Sequence, residues 1–319
     1  MVELPHALIV AGPTCSGKSA LALGLARALG GVVINADSMQ VYRELRIVTA
    51  RPSAAEEAAA PHVLYGVRPA AEAGSVAWWR GAALDCMNAV LADGRLPILC
   101  GGTGMYFASL TDGIADIPPI AEEVRAEARW LLAEQGPRGL HEALAKVDQA
   151  TAARLRPQDS QRVARAWEVW RGTGRGLAAW QREGAHPAPW RFSAILIDPP
   201  RDALRAAISG RFSAMVKEGA VDEVRDLLAL GLDPALPAMR AHGVPELGAH
   251  LRGEISLGEA CRRAELVTGQ YTKRQATWFR HRELAPAARM HTIHARVAGL
   301  EQFSESECHE IFSFVQDGG

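Results

Sequence analysis

Residues 12–19, with the sequence GPTCSGKS, constrain the fold more strongly than any other part of the chain. They fit the pattern G-x-x-x-x-G-K-[ST], follow an apolar run at residues 6–12 and precede a stretch with leucines at helical spacing. Strand, glycine-rich loop and helix in this order form a phosphate-binding loop, where backbone N–H groups and the helix N-terminus face an anion. Lys18 adds a positive charge and Ser19 can bind Mg²⁺. The motif does not specify which phosphate is bound.

The remaining elements predict an α/β fold, with a parallel sheet of P-loop type flanked by helices. Strands alternate with helical patterns, and such sheets bind ligands beyond the carboxyl ends of their strands. Further strands are predicted at residues 32–34, 97–100 and 192–197, and helices at 18–29, 76–91, 202–216, 221–230 and 257–282.

The region from residue 121 to residue 182 differs from the rest of the chain in composition and periodicity. It is rich in Ala, Arg, Leu and Glu and has helical periodicity without a strand pattern. We therefore expect a P-loop catalytic core from residues 1–118 and 190–283, interrupted by an all-helical subdomain at 119–189. Residues 284–319 show no clear periodicity and are predicted to be a C-terminal tail.

Hydrophobic patterning and cysteine usage exclude several classes of protein. The 319 residues, 48% of them hydrophobic, include no apolar run of the roughly 20 residues that cross a bilayer. Five scattered cysteines without a C-x-x-C pair suggest neither disulfides nor zinc. We expect a cytoplasmic protein that does not contact membranes.

The formal net charge of −1 conceals two basic zones. Residues 154–211 contain eleven arginines against five acidic residues, and residues 262–282 contain six Lys or Arg against one Glu. Such zones suit a protein that grips a polyanion with one face, although solvated helix faces have the same composition.

Two more motifs follow predicted strands. Asp37 begins DSMQVY after the second strand, where a carboxylate beside bound phosphate can ligate Mg²⁺ or accept a proton. GGTGMY follows the third strand and provides the hydroxyl of Thr103. By residue type alone, the first also fits a helix cap and the second a tight turn.

Taken in order, GPTCSGKS, DSMQVY, GGTGMY, QDSQRVARAWEV and QYTKRQATWFR resemble the tRNA dimethylallyltransferase family of bacterial type, over about residues 6–283. The resemblance implies transfer of a dimethylallyl group from dimethylallyl diphosphate to N6 of adenine 37, beside the anticodon of tRNA. It implies Mg²⁺ as cofactor and the tRNA anticodon loop as partner, and we expect a monomer.

The resemblance also implies roles for individual residues. Asp37 matches the general base, and Thr103 matches the hydroxyl that assists departure of the diphosphate. Ser19 is the predicted metal ligand. The predicted diphosphate-binding residues are Gly12, Pro13, Thr14, Cys15, Ser16, Gly17, Lys18, Ser19 and Arg211. The predicted tRNA-binding residues are Asp37, Ser38, Met39, Gln40, Asp159, Ser160, Gln161, Arg162, Arg240, His242, Lys273, Arg274 and Gln275.

The chain departs from the family pattern at a few positions. Cys15 replaces a common Ala and Ser19 a common Thr, which preserves phosphate binding because the backbone and a hydroxyl remain. Val244 and Pro245 replace an aromatic and a basic residue, so Arg240 and His242 are the expected RNA contacts there. No Cys/His pair of zinc spacing follows the fifth motif, so we expect no zinc-finger extension.

Residue chemistry alone leaves two alternatives open. A nucleotide or small-molecule kinase would bind ATP in the same loop and transfer phosphate. A non-catalytic RNA-binding protein with a nucleotide switch would bind tRNA without modifying it. The second and fifth motifs favour the transferase.

Overall fold

The structure, a computed structural model, describes residues 4–317 and contains one six-stranded sheet. The strands are ordered β3-β2-β4-β1-β5-β6, and every neighbouring pair is parallel. This confirms the predicted α/β class. The strands are β1 His6–Ala11, β2 Val32–Asn35, β3 His62–Val63, β4 Pro97–Gly101, β5 Arg191–Ile197 and β6 Met290–Ile293.

Thirteen α-helices occur within residues 4–317. They are α1 Lys18–Leu29, α2 Ala54–Ala59, α3 Val76–Ala92, α4 Gly104–Thr111, α5 Glu122–Val147, α6 Gln149–Ala152, α7 Ser160–Thr173, α8 Leu177–Arg182, α9 Arg201–Lys217, α10 Ala220–Ala229, α11 Val244–Leu251, α12 Leu257–Arg280 and α13 Glu305–Asp317. None of the helices in this range is long and apolar enough to span a membrane.

The central strand β1 shows why its sequence is a continuous apolar run. Ala7, Ile9 and Ala11 belong to one hydrophobic cluster, whereas Leu8 and Val10 belong to a second. Successive side chains of a strand point to opposite faces, so both faces of the sheet are covered. The first cluster includes residues of α3, α4, α9, α10, α11 and α12, and the second includes residues of α1 and α13.

The chain forms two compact units. The first is drawn from Met1–Thr111 and Ala188–Gly319 and carries the sheet, and the second is Asp112–Pro187 and is helical in its regular structure. Within the second unit, α5 packs along α7. Helix α5 is kinked at Gly136, whose φ is 68°, because Pro137 follows it.

The segment after Glu283 differs from the predicted tail. Met290–Ile293 forms the edge strand β6, paired with β5, and Glu305–Asp317 forms a helix whose Ile311 and Val315 are buried. The edge strands β3 and β6 escape sequence analysis because they have two and four residues, several of them polar.

Candidate active site

The loops that follow β1, β2 and β4 meet at one edge of the sheet. These strands are neighbours in the order β2-β4-β1, and all three end at the same edge because they are parallel. The loops contain the phosphate-binding motif, Asp37 and Thr103, respectively. The topology thus brings together three motifs that are far apart in sequence.

The phosphate-binding loop adopts a strained backbone between β1 and α1. Cys15 has a φ of 66° and Gly17 has a φ of 95°, both left-handed. The hydroxyl Oγ of Ser16 is buried and has no hydrogen-bond partner, which suits a loop that awaits a polar ligand. Thr14, Cys15, Lys18 and Ser19 all line one pocket. Lys18 Nζ lies 3.4 Å from the carbonyl oxygen of Pro13.

Residues 294–303, called here the terminal segment, support this loop from outside. The backbone N–H of Val297 donates to Ser16 O at 2.9 Å, and Nε of Arg296 donates to Cys15 O at 3.1 Å. A Cβ on Gly17 would lie 1.7 Å from Val297 O, so only glycine permits this approach. Sequence analysis missed this support because the segment has no motif.

Asp37 is held in a fixed orientation at the end of β2. Its N–H donates to Oδ1 of the buried Asn35 at 2.8 Å, and its own Oδ1 accepts from the N–H of Met39 at 3.0 Å. Asn35 also donates to the carbonyl oxygens of Asp37 and Leu64. The half-buried carboxylate lines the pocket, and no hydrogen bond of the described residues engages its Oδ2.

Thr103 lies against the loop that carries Asp37. Its N–H donates to Ala36 O at 3.2 Å, and its Oγ1 accepts from the N–H of Ser38 at 3.0 Å. The same hydroxyl lies 3.3 Å from Ser38 Oγ. A Cβ on Gly101 would lie 2.0 Å from Ala36 O, so the glycine before the turn allows the two loops to touch.

Arg211 on α9 also lines the pocket. Its guanidinium donates to Thr49 O at 3.2 Å and lies 3.8 Å from Cys15 Sγ. Arg211, a predicted diphosphate-binding residue, therefore lies beside the phosphate-binding loop. Apolar side chains share the pocket lining, among them Val48, Ile208, Phe212 and Met215.

Glu223 on α10 fixes the loop that receives Arg211. Its carboxylate accepts from the N–H groups of Arg46, Ile47 and Val48 at 2.7 to 2.9 Å. The next carbonyl, Thr49 O, accepts from both Arg211 and Gln40. Amphipathic periodicity places α10 but does not signal this role of its glutamate, so sequence analysis missed it.

Gln40, a predicted tRNA contact, has its amide nitrogen engaged within the protein. Its Nε2 donates to Thr49 O and Ala50 O, each at 2.9 Å. Because both amide hydrogens are engaged in the protein, only Oε1 remains available to a ligand. Met39, also a predicted contact, lines the pocket.

The aromatic rings of Tyr271 and His242 also line the pocket. Their rings meet edge to face, with centroids 4.9 Å apart. Burial, with the nearby charge of Asp37, raises the pKa of Tyr271 to about 12, although hydrogen bonding with Thr103 opposes the rise. Burial lowers the pKa of His242 below its ordinary value, so its imidazole is neutral at pH 7.

Apart from Gln275, the other predicted tRNA contacts are either exposed or half-buried. Gln161, Arg162, Arg240, Lys273 and Arg274 are exposed, as such contacts require. Asp159 and Ser160 are half-buried, and Asp159 caps α7 by accepting from the N–H of Arg162 at 3.3 Å.

Gln275, a predicted tRNA contact, lies inside the protein. Its side chain is 4% exposed, and it bonds to Thr14 and Gly102 within the first unit. Its position in the helical repeat turns it inward, whereas Lys273 and Arg274 face solvent.

The residues present fit a Mg²⁺ ion that has only one or two protein ligands. No group of three or more His, Cys, Asp or Glu side chains among residues 4–317 is placed to hold a metal alone. Mg²⁺ at phosphate sites takes one or two protein oxygens together with phosphate oxygens and water. Ser19 offers a hydroxyl in the pocket and Asp37 a carboxylate, so this donor set matches that mode of binding.

Comparisons with known proteins agree with the site. A family model described as IPP transferase matches residues 40–282, and one described as isopentenyl transferase matches residues 5–67. A tRNA dimethylallyltransferase of Granulibacter bethesdensis is 60% identical over 312 residues, covering 98% of each chain. One of Gluconacetobacter diazotrophicus is 60% identical and covers 97% of this chain and 93% of the relative.

Solved structures are similar along nearly the whole chain. The tRNA isopentenylpyrophosphate transferase of Bacillus halodurans has a TM-score of 0.68 and 31% identity, covering 99% of this chain and 98% of the other. A eukaryotic dimethylallyltransferase acting on tRNA has a TM-score of 0.83 at 22% identity, covering 98% of this chain and 80% of the other, and shows the fold alone. The resemblance predicted from five short motifs is confirmed, and this chain belongs to the tRNA dimethylallyltransferase family.

Proposed function

We propose that this chain transfers a dimethylallyl group from dimethylallyl diphosphate to N6 of adenine 37 in tRNA. The bond between C1 and the bridging oxygen of the donor breaks, and a bond between N6 and C1 forms. N6 loses one proton, and diphosphate leaves. The product is N6-(dimethylallyl)adenosine beside the anticodon.

The observation that carries this proposal is the composition of one pocket. Lys18 and Ser19 of the phosphate-binding loop, the carboxylate of Asp37 and the apolar side chains of Val48, Phe212 and Met215 line the same space. A cationic loop suits a diphosphate, and apolar side chains suit a branched hydrocarbon. A donor that has both parts therefore matches this pocket.

Asp37 is the proposed proton acceptor. The exocyclic amine of adenine is a weak nucleophile because its lone pair is delocalised into the ring, so a base must take its proton as the new bond forms. Hydrogen bonding to Met39 N fixes one carboxylate oxygen, and the other, Oδ2, keeps its lone pairs free of hydrogen bonds from the described residues. The carboxylate is thus oriented before the substrate arrives.

The leaving group is stabilised by charges and donors around the loop. Lys18, Arg211 and the loop N–H groups place positive charge where negative charge develops on the diphosphate. The Thr103 hydroxyl, now weakly bonded to Ser38 Oγ at 3.3 Å, can turn its hydrogen toward the departing oxygen. Bound Mg²⁺, held by Ser19 and the diphosphate oxygens, would neutralise further charge.

Exposed cations are the proposed grip on the anticodon loop. Arg162 in the helical unit and Arg240, Lys273 and Arg274 in the sheet unit carry free or partly free positive charge. Anticodon bases are already largely single-stranded, so extruding one costs a few kcal/mol, which phosphate contacts offset. We propose that the chain acts as a monomer, in the cytoplasm where tRNA is found.

The test is direct detection of the product. Unmodified tRNA, Mg²⁺ and dimethylallyl diphosphate are incubated with the protein, and the digested RNA is analysed by mass spectrometry. We expect a gain of C5H8 on one adenosine of the anticodon loop. Retention of the original mass, or consumption of ATP with phosphate transfer in a parallel reaction, would contradict the proposal.

A further inference from the structure

The side chain of Gln275 joins two loops of the active site. Its Oε1 accepts from both N–H and Oγ1 of Thr14, at 2.8 and 3.0 Å, and its Nε2 donates to Gly102 O at 2.9 Å. Thr14 belongs to the phosphate-binding loop, and Gly102 immediately precedes Thr103. One amide from α12 therefore spans the loops after β1 and β4.

The bridge leaves little freedom to either loop. Gln275 is 4% exposed, so its three hydrogen bonds lie largely out of water, where loss of one partner is costly. A Cβ on Gly102 would lie 2.2 Å from Nε2 and 3.2 Å from Gly12 O. The glycine thus permits the amide to sit directly against the backbone of the catalytic turn.

A tRNA contact by Gln275 conflicts with this arrangement. Both ends of its amide are already engaged, and the exposed residues of the same turn are Lys273 and Arg274. A purely structural role in the helix core also fits poorly, because its partners are two loops of the site and not neighbouring helices.

Resting on the function proposed above, we infer that Gln275 is a positioning residue that sets the separation between the diphosphate-holding loop and the Thr103 hydroxyl. Thr14 is part of the phosphate-binding loop, and Thr103 follows Gly102 by one residue. A fixed amide between them keeps the Thr103 hydroxyl at hydrogen-bonding distance from the departing oxygen. Misplacement of a reacting group by about 1 Å costs on the order of 10²-fold in rate.

The test compares three variants in the full-length protein. Gln275→Met keeps the length of the side chain but removes all three hydrogen bonds, and Gln275→Glu keeps the acceptor for Thr14 but loses the donor to Gly102. Gln270→Ala is the matched control, because Gln270 is exposed on the same helix. Turnover, donor KM, tRNA Kd and the Kd of inorganic diphosphate are measured for each.

We expect kcat to fall roughly 10²-fold for both Gln275 variants, with tRNA Kd changed less than about twofold and Gln270→Ala behaving as the wild type. Weakened tRNA binding at unchanged kcat would make Gln275 an RNA contact and overturn the inference. A lowered unfolding temperature with unchanged kcat would overturn it as well, by showing a structural role only.

A double-mutant cycle tests the contact between Gly102 and Gln275 without relying on the absolute activity of any one variant. Gly102→Ala pushes a methyl group into Nε2, so on its own it should lower kcat. In a Gln275→Ala background, the same substitution should cost several-fold less, because the colliding amide is gone. Additive effects would contradict the bridge. If the wild type prenylates tRNA while these outcomes fail, the proposed function survives and only this inference is lost.

Discussion

Helix α12 presents two faces that differ in chemistry. Tyr271, Gln275 and Phe279, spaced four residues apart, face inward, and the first two of them contribute to the site. Lys273 and Arg274 are exposed, and neither pairs with a carboxylate among the residues that the structure describes. The inward groups are engaged by the protein. Of the outward groups, Arg274 lies over the Tyr271 ring with 5.5 Å between its guanidinium carbon and the ring centroid, but neither its charge nor that of Lys273 is neutralised by a carboxylate of the described residues.

This difference shows that the motif QYTKRQATWFR is not one functional unit. Inward residues of the molecule should govern the chemical step, because they fix distances between reacting groups. Outward residues should govern tRNA affinity and its dependence on salt, because their contribution is electrostatic. The two classes can therefore be separated by kcat on one side and by salt-dependent KM on the other.

The largest effect is expected at the inward carboxylate. Asp37→Asn keeps the shape of the side chain and the acceptor for Met39 N but removes the proton acceptor. We expect kcat to fall roughly 10³-fold, within the range that general bases contribute, while tRNA Kd measured by filter binding stays within about twofold. Asp85→Asn, an exposed carboxylate of α3, is the control. A variant of Asp37 that kept full turnover would remove it from the role of base.

Arg211 should have the next largest effect. Arg211→Ala removes a charge near the leaving diphosphate and frees Thr49 O. Loss of one such stabilising group costs roughly 10²-fold in rate, and we expect this loss in kcat/KM for the donor under steady-state conditions. Arg205 lies on the same helix but is exposed and paired with Asp202, so Arg205→Ala should have little effect. Equal losses of kcat/KM for the two variants would show that inward and outward arginines do not differ in their effect on the chemical step.

The outward face is tested by removing both of its cations. For single-stranded RNA, each phosphate contact contributes about 0.7 to the slope of log K against log salt, so Lys273→Ala with Arg274→Ala should lower the slope by about 1.4. The same relation gives a loss on the order of 10-fold in tRNA affinity at 0.15 M salt. Donor KM should not change. Arg262→Ala, at the far end of α12 beside Glu259, provides the comparison. An unchanged slope would mean that this face does not meet tRNA.

Sequence analysis locates the parts of the site that depend on local pattern. The residues around Gly12, Asp37 and Thr103 follow buried strands, and parallel strands bring such loops to one edge, so their convergence could be predicted. The direction in which Gln275 points could not, because its neighbours in sequence are exposed and a short motif does not reveal which residues face inward. Glu223 and Arg296 were missed for another reason. Each contacts backbone atoms of a loop more than a hundred residues away, N–H donors for Glu223 and a carbonyl acceptor for Arg296, and such backbone groups leave no mark on the sequence.

The terminal segment supplies the smallest expected effect and extends the comparison beyond α12. Arg296 is exposed, yet it donates a hydrogen bond to the carbonyl oxygen of Cys15 in the phosphate-binding loop. We therefore class it with the inward groups, which contact the site. A single hydrogen bond of this kind contributes about 0.5 to 1.5 kcal/mol, which corresponds to a rise of about 2- to 10-fold in donor KM for Arg296→Ala.

Two further variants serve as controls. Arg296→Lys retains the positive charge without the guanidinium donor, and His294→Ala changes a nearby exposed residue of the same segment. If Lys restores the donor KM, the segment acts through charge. If it does not, the bond to Cys15 holds the loop in shape. A selective change in tRNA affinity would instead place Arg296 among the outward cations.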